Sequence, residues 1–264
     1  MQRLRFLAAL VVTVLFLVPG IGAAQEGPMP LTWVGMDTVK PGTGMQYPAL
    51  FAKYNKPLLD QMVADGIALS WGVGYELAGP GGFNYVVWIT MPGWAGMGAA
   101  EAAFDARYES MSEEDREAMM SEWMAVLETG DEKYQLLRHT VFKSAPDGEF
   151  KYLRLSNYTV KPGYESDVNK MYKSFMVPIY DQLLEDGAIA AYGLIEQAIH
   201  SDSSFTHEAW ITFAELADLD KVEKAFMGAE VSDGDEVARD LAFMKMFQHD
   251  AHYDRLIRVI MQNE

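Results

Sequence analysis

The sequence predicts an α+β fold built from two copies of one βαββαβ unit, and three observations predict it. The pentapeptide Thr-Val-Lys-Pro-Gly stands at residues 38–42 and again at 159–163. Further identities follow in the same order: Pro57 on Pro178, Asp60-Gln61 on Asp181-Gln182, Asp65-Gly66 on Asp186-Gly187, Gly72 on Gly193, and Trp88-Ile89-Thr90 on Trp210-Ile211-Thr212. Within each copy the apolar pattern switches between period two and period 3.6 in the same succession. The expected layout is a leader at 1–24, one repeat at 31–143, a turn-rich linker at 144–150 and a second repeat at 151–264.

Each copy opens with a strand, expected at Thr32 to Val39 and at Tyr152 to Val160. It ends in Lys-Pro-Gly, because proline lacks an N–H and glycine tolerates positive φ. A helix follows. Tyr47, Leu50, Phe51, Tyr54, Leu58 and Met62 share one face in the first copy, and Val168, Met171, Tyr172, Phe175, Ile179 and Leu183 in the second. Pro57 and Pro178 fall inside these patterns, so a kink or restart is expected there. Asp-Gly closes each helix.

Two strands come next. Ile67, Leu69, Trp71, Val73 and Tyr75 alternate with small residues that include Gly72 and Gly74; Tyr192 and Leu194 alternate with Ala191 and Gly193. The return strands run from Phe83 to Met91 and from Thr206 to Phe213, across hairpin loops. A short helix is expected near Ala99 to Tyr108 and near Asp218 to Met227. A longer one opens at Ser112-Glu113-Glu114-Asp115 and at Ser232-Asp233-Gly234-Asp235, where serine caps and acids suit the helix dipole. The last strand is Lys133 to Phe142 or His252 to Met261. The order β-α-β-β-α-β is that of a ferredoxin-like unit.

The N-terminus points to export. Arg3 and Arg5 precede an apolar run from Phe6 to Val18, then Pro19-Gly20 and small residues ending at Ala24. This is the layout of a cleaved signal peptide, with Gln25 the new terminus, and the run falls short of the roughly 20 residues a spanning helix needs. The expected location is periplasmic or secreted, with no stable membrane span after cleavage. The formal net charge of −17 repels phosphate backbones, which argues against a nucleic-acid partner. With no cysteine the fold has neither disulfides nor thiolate chemistry.

A four-stranded sheet with helices on one face leaves its other face bare, and aromatic residues occur at both alternations of these strands. Two copies can each cover the other's sheet. A strand ending in Val-Lys-Pro-Gly, a helix with internal proline closing in Asp-Gly, and the glycine-bearing strands at Trp71-Gly72 and Tyr192-Gly193 resemble the dimeric α/β-barrel superfamily. The nearest flavours are NIPSNAP-like and antibiotic-biosynthesis-monooxygenase-like. The resemblance implies a pseudo-dimeric α/β barrel formed by two tandem ferredoxin-like units, with a monomer closing it within the chain. The superfamily includes cofactor-independent monooxygenases, isomerases and haem-dependent enzymes, so the fold does not select a function.

The candidate ligand-binding residues are aromatic and basic: Tyr54, Trp71, Trp88, His139, Tyr192, Trp210 and Arg258. The aromatic residues recur at matched places on helix and sheet and could stack an apolar or aromatic molecule in a helix–sheet cavity; the alternative is that they are core. His139 and Arg258 fall opposite one another when Lys133-Tyr134 is laid over His252-Tyr253, and could hold an anionic or carbonyl group. Arg138 and Arg255 lie nearby but do not superpose in that match. His200, His207, His249 and His252 read as surface residues, and no strong metal signature occurs, so neither metal nor cofactor is expected. No catalytic residue is assigned. Two functions stay open: an exported binder of a small hydrophobic or aromatic molecule, with cofactor-independent monooxygenase-like chemistry, and a non-catalytic structural or partner-binding module whose pockets are filled by its own side chains.

Overall fold

Eight strands close into one antiparallel barrel. In the computed structural model, which describes residues 28–128, 133–145, 148, 150–199, 205–228, 245–248 and 252–263, they are β1 (Leu31–Asp37), β2 (Ser70–Ala78), β3 (Tyr85–Met91), β4 (Lys133–Ser144), β5 (Tyr152–Tyr158), β6 (Ala191–Gln197), β7 (His207–Phe213) and β8 (Tyr253–Gln262). Their order around the barrel is β1-β3-β2-β8-β5-β7-β6-β4. The leader expected at 1–24, the middle of the linker and the helix expected after Ser232 lie outside the described residues. Residues 31–144 contribute the order β4-β1-β3-β2, and residues 152–262 the corresponding order β8-β5-β7-β6.

The helices lie outside this barrel: α1 (Gln46–Tyr54), α2 (Lys56–Ala64), α3 (Gly93–Ser110), α4 (Glu113–Val126), α5 (Glu165–Met171), α6 (Val177–Glu185) and α7 (Asp218–Gly228). The two internal prolines are accommodated differently. Pro57 sits at the first turn of α2, where a missing N–H costs nothing, and the chain breaks at Asn55. Pro178 sits at the start of α6, and the preceding turn widens into a π-helix at Tyr172–Met176. α3 is longer than the short helix expected there. Gly66 and Gly187 take φ of 72° and 68° as the helices close. Ile67 and Ala68 are spent on that closure, both bonding back to Met62 O, so β2 starts at Ser70 and not at Ile67.

The repeated pentapeptide docks each first strand on the end of a helix. Lys40 N–H donates to Val126 O at 2.8 Å, and Lys161 N–H to Met246 O at 2.9 Å. The Lys40 ammonium also donates to Met124 O at 2.6 Å and Lys161 to Lys245 O at 3.2 Å. In α4 this places a cation on the carbonyls of its last turn, where the dipole favours it. At the other end of α4, Ser112 Oγ accepts from Asp115 N–H.

Large residues of β2 and β6 point outward under the helices. Trp71, Val73 and Tyr75 join Tyr47, Phe51, Leu59 and Met62 in one core, while Tyr192 and Leu194 join Tyr172, Tyr180 and Leu183 in another. The repeated aspartates serve these cores. Asp60 Oδ1 accepts from Trp71 Nε1 at 3.1 Å, and Asp181 Oδ1 accepts from the Tyr192 hydroxyl at 2.5 Å. The inner faces meet in part, as expected: Phe83 and Val86 pack with Ile257, Leu153 and Leu155, and Leu137 with Ile195 and Phe205. The halves also join edge to edge, β2 to β8 and β4 to β6, and open space remains between the inner faces.

Small residues of β2 and β6 point inward, and they make room for indoles. Gly72 pairs with Trp88 and Gly193 with Trp210. A Cβ on Gly72 would lie 2.0 Å from Trp88 Cζ2, and one on Gly193 would lie 2.7 Å from the Trp210 ring. Gly72→Ala is therefore expected to displace Trp88 and cost about 1–3 kcal/mol in denaturant unfolding. Gly98→Ala, in a helix with open space around it, should instead be neutral or stabilise by up to about 1 kcal/mol. Equal stabilities for the two variants would show that Gly72 is not a seat for the indole.

Candidate functional site

The barrel interior holds a cavity of about 1710 Å³ that opens to solvent beside exposed residues such as Gly81 and Glu215. This is larger than the usual ligand pocket of roughly 300–1,000 Å³. Its location follows from the alternation of the strands: Thr32, Val34 and Met36 of β1, Val86, Trp88 and Thr90 of β3, and Leu153, Leu155 and Asn157 of β5 all turn inward. Opposite them β2 and β6 offer Ser70, Gly72, Ala191 and Gly193, too small to fill the space.

Three of the seven candidate ligand residues meet in this cavity: Trp88, His139 and Trp210. His139 is buried, its Nε2 2.7 Å from Thr32 Oγ1, which lies 2.9 Å from Thr90 Oγ1. The imidazole stands edge-on to Phe142 at 5.6 Å and to Trp210 at 6.0 Å. A β-bulge makes this cluster. The register of β4 against β6 shifts between His139 and Val141, so His139 and Phe142 both face inward although three positions apart.

The other four do not face into the cavity. Trp71 borders the cavity, but its indole packs against Phe51 in the core under α1 and α2. Tyr192 is stacked on Tyr180 under α6. Tyr54 is half-buried at the end of α1, beneath the Lys53 ammonium. Arg258 is exposed. Its expected match with His139 is one residue out of register, as the strand pairings show. Leu31 pairs with Arg138 and Tyr152 with Arg258, so Arg258 corresponds to Arg138, and His139 to Val259. A one-residue slip moves a side chain to the other face of a sheet, which is why His139 points in and Arg258 out.

Sequence reasoning overlooked a second polar group in the cavity. Glu208 of β7 and Asn157 of β5 are paired across the strands, and Asn157 Nδ2 donates to Glu208 Oε2 at 2.7 Å. Nearby on β8, Arg255 is tied to Glu76 of β2 at 2.5 Å and lies 4.4 Å over the Phe83 ring. The available signal was alternation: Glu208 stands two positions before Trp210 and so shares its face. His139, Ile195, Glu208 and Asn157 pair in succession across four strands, forming one inner layer.

Burial shifts the two ionisable groups of this layer in opposite senses. It drives the His139 imidazole down to about 4, leaving it neutral at pH 7. It pushes the Glu208 carboxyl up to about 7, against the opposing pull of the Asn157 hydrogen bond and the Arg255 charge. His207, read as a surface residue, is buried on the outer side with Nδ1 3.1 Å from Thr206 Oγ1. His252 stacks on Tyr158 at 4.7 Å, and His200 and His249 lie outside the described residues. Among the described residues no three metal-ligating side chains converge, and no helix is long and apolar enough to cross a membrane.

No family model and no curated protein matches the chain. Solved structures do match. A candidate monooxygenase from Lactobacillus acidophilus superposes over 89% of this chain and 96% of its own, with TM-score 0.58 and 11% identity. A candidate monooxygenase from Fusobacterium nucleatum covers 90% and 95%, with TM-score 0.57 and 10% identity. A variant chlorite dismutase from Candidatus Nitrospira defluvii covers 88% and 92%, with TM-score 0.51 and 8% identity. Identities this low establish the fold alone, the ferredoxin-like α/β barrel.

The opposite shifts predict a pH signature. His139, depressed from 6.5 to about 4, stabilises the native state fully above about pH 6.5, and the contribution is lost as pH falls through 4. Glu208, raised from 4.5 to about 7, stabilises fully below about pH 4.5, and the contribution is lost as pH rises through 7. Between these limits the two slopes, each roughly 1.4 kcal/mol per pH unit at most, oppose one another. Relative to the parent protein, His139→Phe should therefore lose stability as pH rises from 4.5 to 6.5, and Glu208→Gln should gain it. Denaturant unfolding across that range reads the difference, and parallel curves for all three proteins would mean neither group is shifted.

Proposed function

We propose that the protein binds a small apolar or aromatic molecule inside the barrel, between Trp88 and Trp210. The observation that carries this reading is the cavity of about 1710 Å³ with two indoles seated over glycines on its inner wall. A module with pockets filled by its own side chains would not leave a cavity of this size. The site thus lies between the two inner faces, and the helix–sheet spaces expected to hold it are occupied by Trp71 and Tyr192. On this reading the chain is a tandem duplication whose halves form the two walls of one site, and the segment 1–24 exports it.

The enzymatic extension is monooxygenase-like chemistry at the same place, the word used of two of the structural neighbours, with cofactor independence as the expectation from the sequence resemblance. Oxygen uptake that depends on a bound ring compound, in protein freed of metal and flavin, measures it directly.

Binding is tested by tryptophan fluorescence and native mass spectrometry with naphthalene and its one-substituent derivatives. One-to-one complexes are expected, weakened about three- to tenfold by Trp210→Ala or Trp88→Ala through lost ring contact. Absence of any complex across the set, or affinities untouched by both substitutions, would remove the barrel interior as the site.

A further inference from the structure

Among the polar groups of the inner layer, Glu208 alone carries a carboxyl in the cavity wall, and Arg255, whose charge acts on it, is ion-paired to Glu76 and not to Glu208. Asn157 Nδ2 donates to Oε2, and no described group contacts Oε1 by hydrogen bond. An amide N–H can only donate, so Oε2 accepts and a proton on this carboxyl resides on Oε1. The wall beside it is aromatic: Trp210 is the next inward residue along β7, and Phe205 and Tyr253 border the same space.

We propose that the barrel interior selects neutral aromatic carbonyl compounds, ketones or quinones, with Glu208 Oε1–H donating a hydrogen bond to the carbonyl oxygen. This rests on the reading of the barrel interior as a ligand site and adds the ligand's class and polarity. A carboxylate at this position would face the carbonyl oxygen lone pair to lone pair, and an anionic ligand would meet the Glu208 carboxyl while the Arg255 guanidinium of the same wall is already held by Glu76. A neutral acceptor meets neither obstacle.

The proton is linked to the ligand. Glu208, raised to about 7 by burial, is mostly protonated below neutrality, so affinity for the carbonyl compound is full there and declines as pH rises above 7. The groups facing Glu208 from neighbouring strands leave this window undisturbed. On β5 Asn157 does not titrate, and on β6 the paired residue is the apolar Ile195. On β4 His139 stays neutral above about 4. On β8 the Arg255 cation is held by Glu76 and by Gly81 O, and Tyr253 lines the same wall.

The experiment compares 2-acetylnaphthalene with 2-ethylnaphthalene, two probes of nearly equal shape that differ in the carbonyl. In the parent protein the acetyl compound should bind about tenfold tighter at pH 5.5, the worth of one good hydrogen bond in a dry site, with the preference falling to near unity by pH 9. Calorimetry at pH 8 in two buffers of different ionisation enthalpy should register proton uptake with the acetyl compound alone. Glu208→Gln keeps an N–H donor and should keep the preference while losing its pH dependence; Glu208→Leu should show no preference at any pH. Binding of both probes with equal affinity at pH 5.5, or a pH profile that survives in Glu208→Gln, overturns the carbonyl assignment and leaves the cavity reading standing. Failure of both probes to bind overturns both.

Discussion

Two hydrogen-bonded seams, β2 to β8 and β4 to β6, are the constraint on which the other features depend. A four-stranded sheet in the order seen in each half leaves two edges, each a row of unpaired N–H and C=O groups open to association. Here every edge is taken by an edge of the other half, and the barrel has none left. Closure with eight strands sets an interior that side chains can fill or that can hold one ligand, depending on their size. With Gly72, Gly74, Ala191 and Gly193 on the strands that form the seams, the interior keeps open space beside the side chains that meet within it. Both seams also carry register shifts, which closed antiparallel sheets use to bend. The shift in β4 places His139 and Phe142 together on the inner wall, so a device of closure also shapes the site.

Charge in this interior is sparse and local. Arg255 and Glu76, whose side chains are only 13% and 8% exposed, join β8 to β2 across a seam. A buried pair of this kind returns little net stability once desolvation is subtracted, yet removing one partner leaves an uncompensated charge. Its effect is to penalise any other register of that seam. Glu208 and His139 have no such directly paired counter-ion, and burial favours the neutral form of each, Glu208 below about 7 and His139 above about 4. The cavity is accordingly polar without being strongly charged, although the chain as a whole is highly acidic. Among the described residues most acids are exposed.

Much of the fold was legible because it rests on local chemistry. Lys-Pro-Gly and Asp-Gly turns, the internal prolines and the alternation in β2 and β6 are written in short stretches, and the matched Asp60 and Asp181 turned out to make matched hydrogen bonds. The lining of the cavity was legible only in part. Trp88, Trp210 and His139 face into it, but Trp71 and Tyr192 belong to helix-packed cores, because an aromatic on a strand reads alike whichever face it occupies. Arg258 faces outward for a sharper reason. A single inserted residue displaced the match in the last strand, and with period two that reverses inside and outside. Bulges such as the one after His139 have the same effect and leave no compositional trace. Glu208 was passed over because an isolated acid draws no notice in an acidic chain, and only its alternation with Trp210 marked it as inward-facing.

The strand pairings also show that the two halves are unequal where it matters. The position of Asn157 in the second half is held by Met36 in the first, that of Glu208 by Val86, and that of His139, reading the other way, by Val259. A homodimer of the same architecture would place each residue twice, by symmetry, and a buried acid would face the consequences of burial at both sites. Joining the halves in one chain lifts that requirement. His139 of the first half and Glu208 of the second meet in one layer around Ile195, while the related layer is lined with Met36, Val86 and Val259. One end of the cavity is thus able to read a polar group and the other to take hydrocarbon, a polarity that a symmetric barrel could not possess.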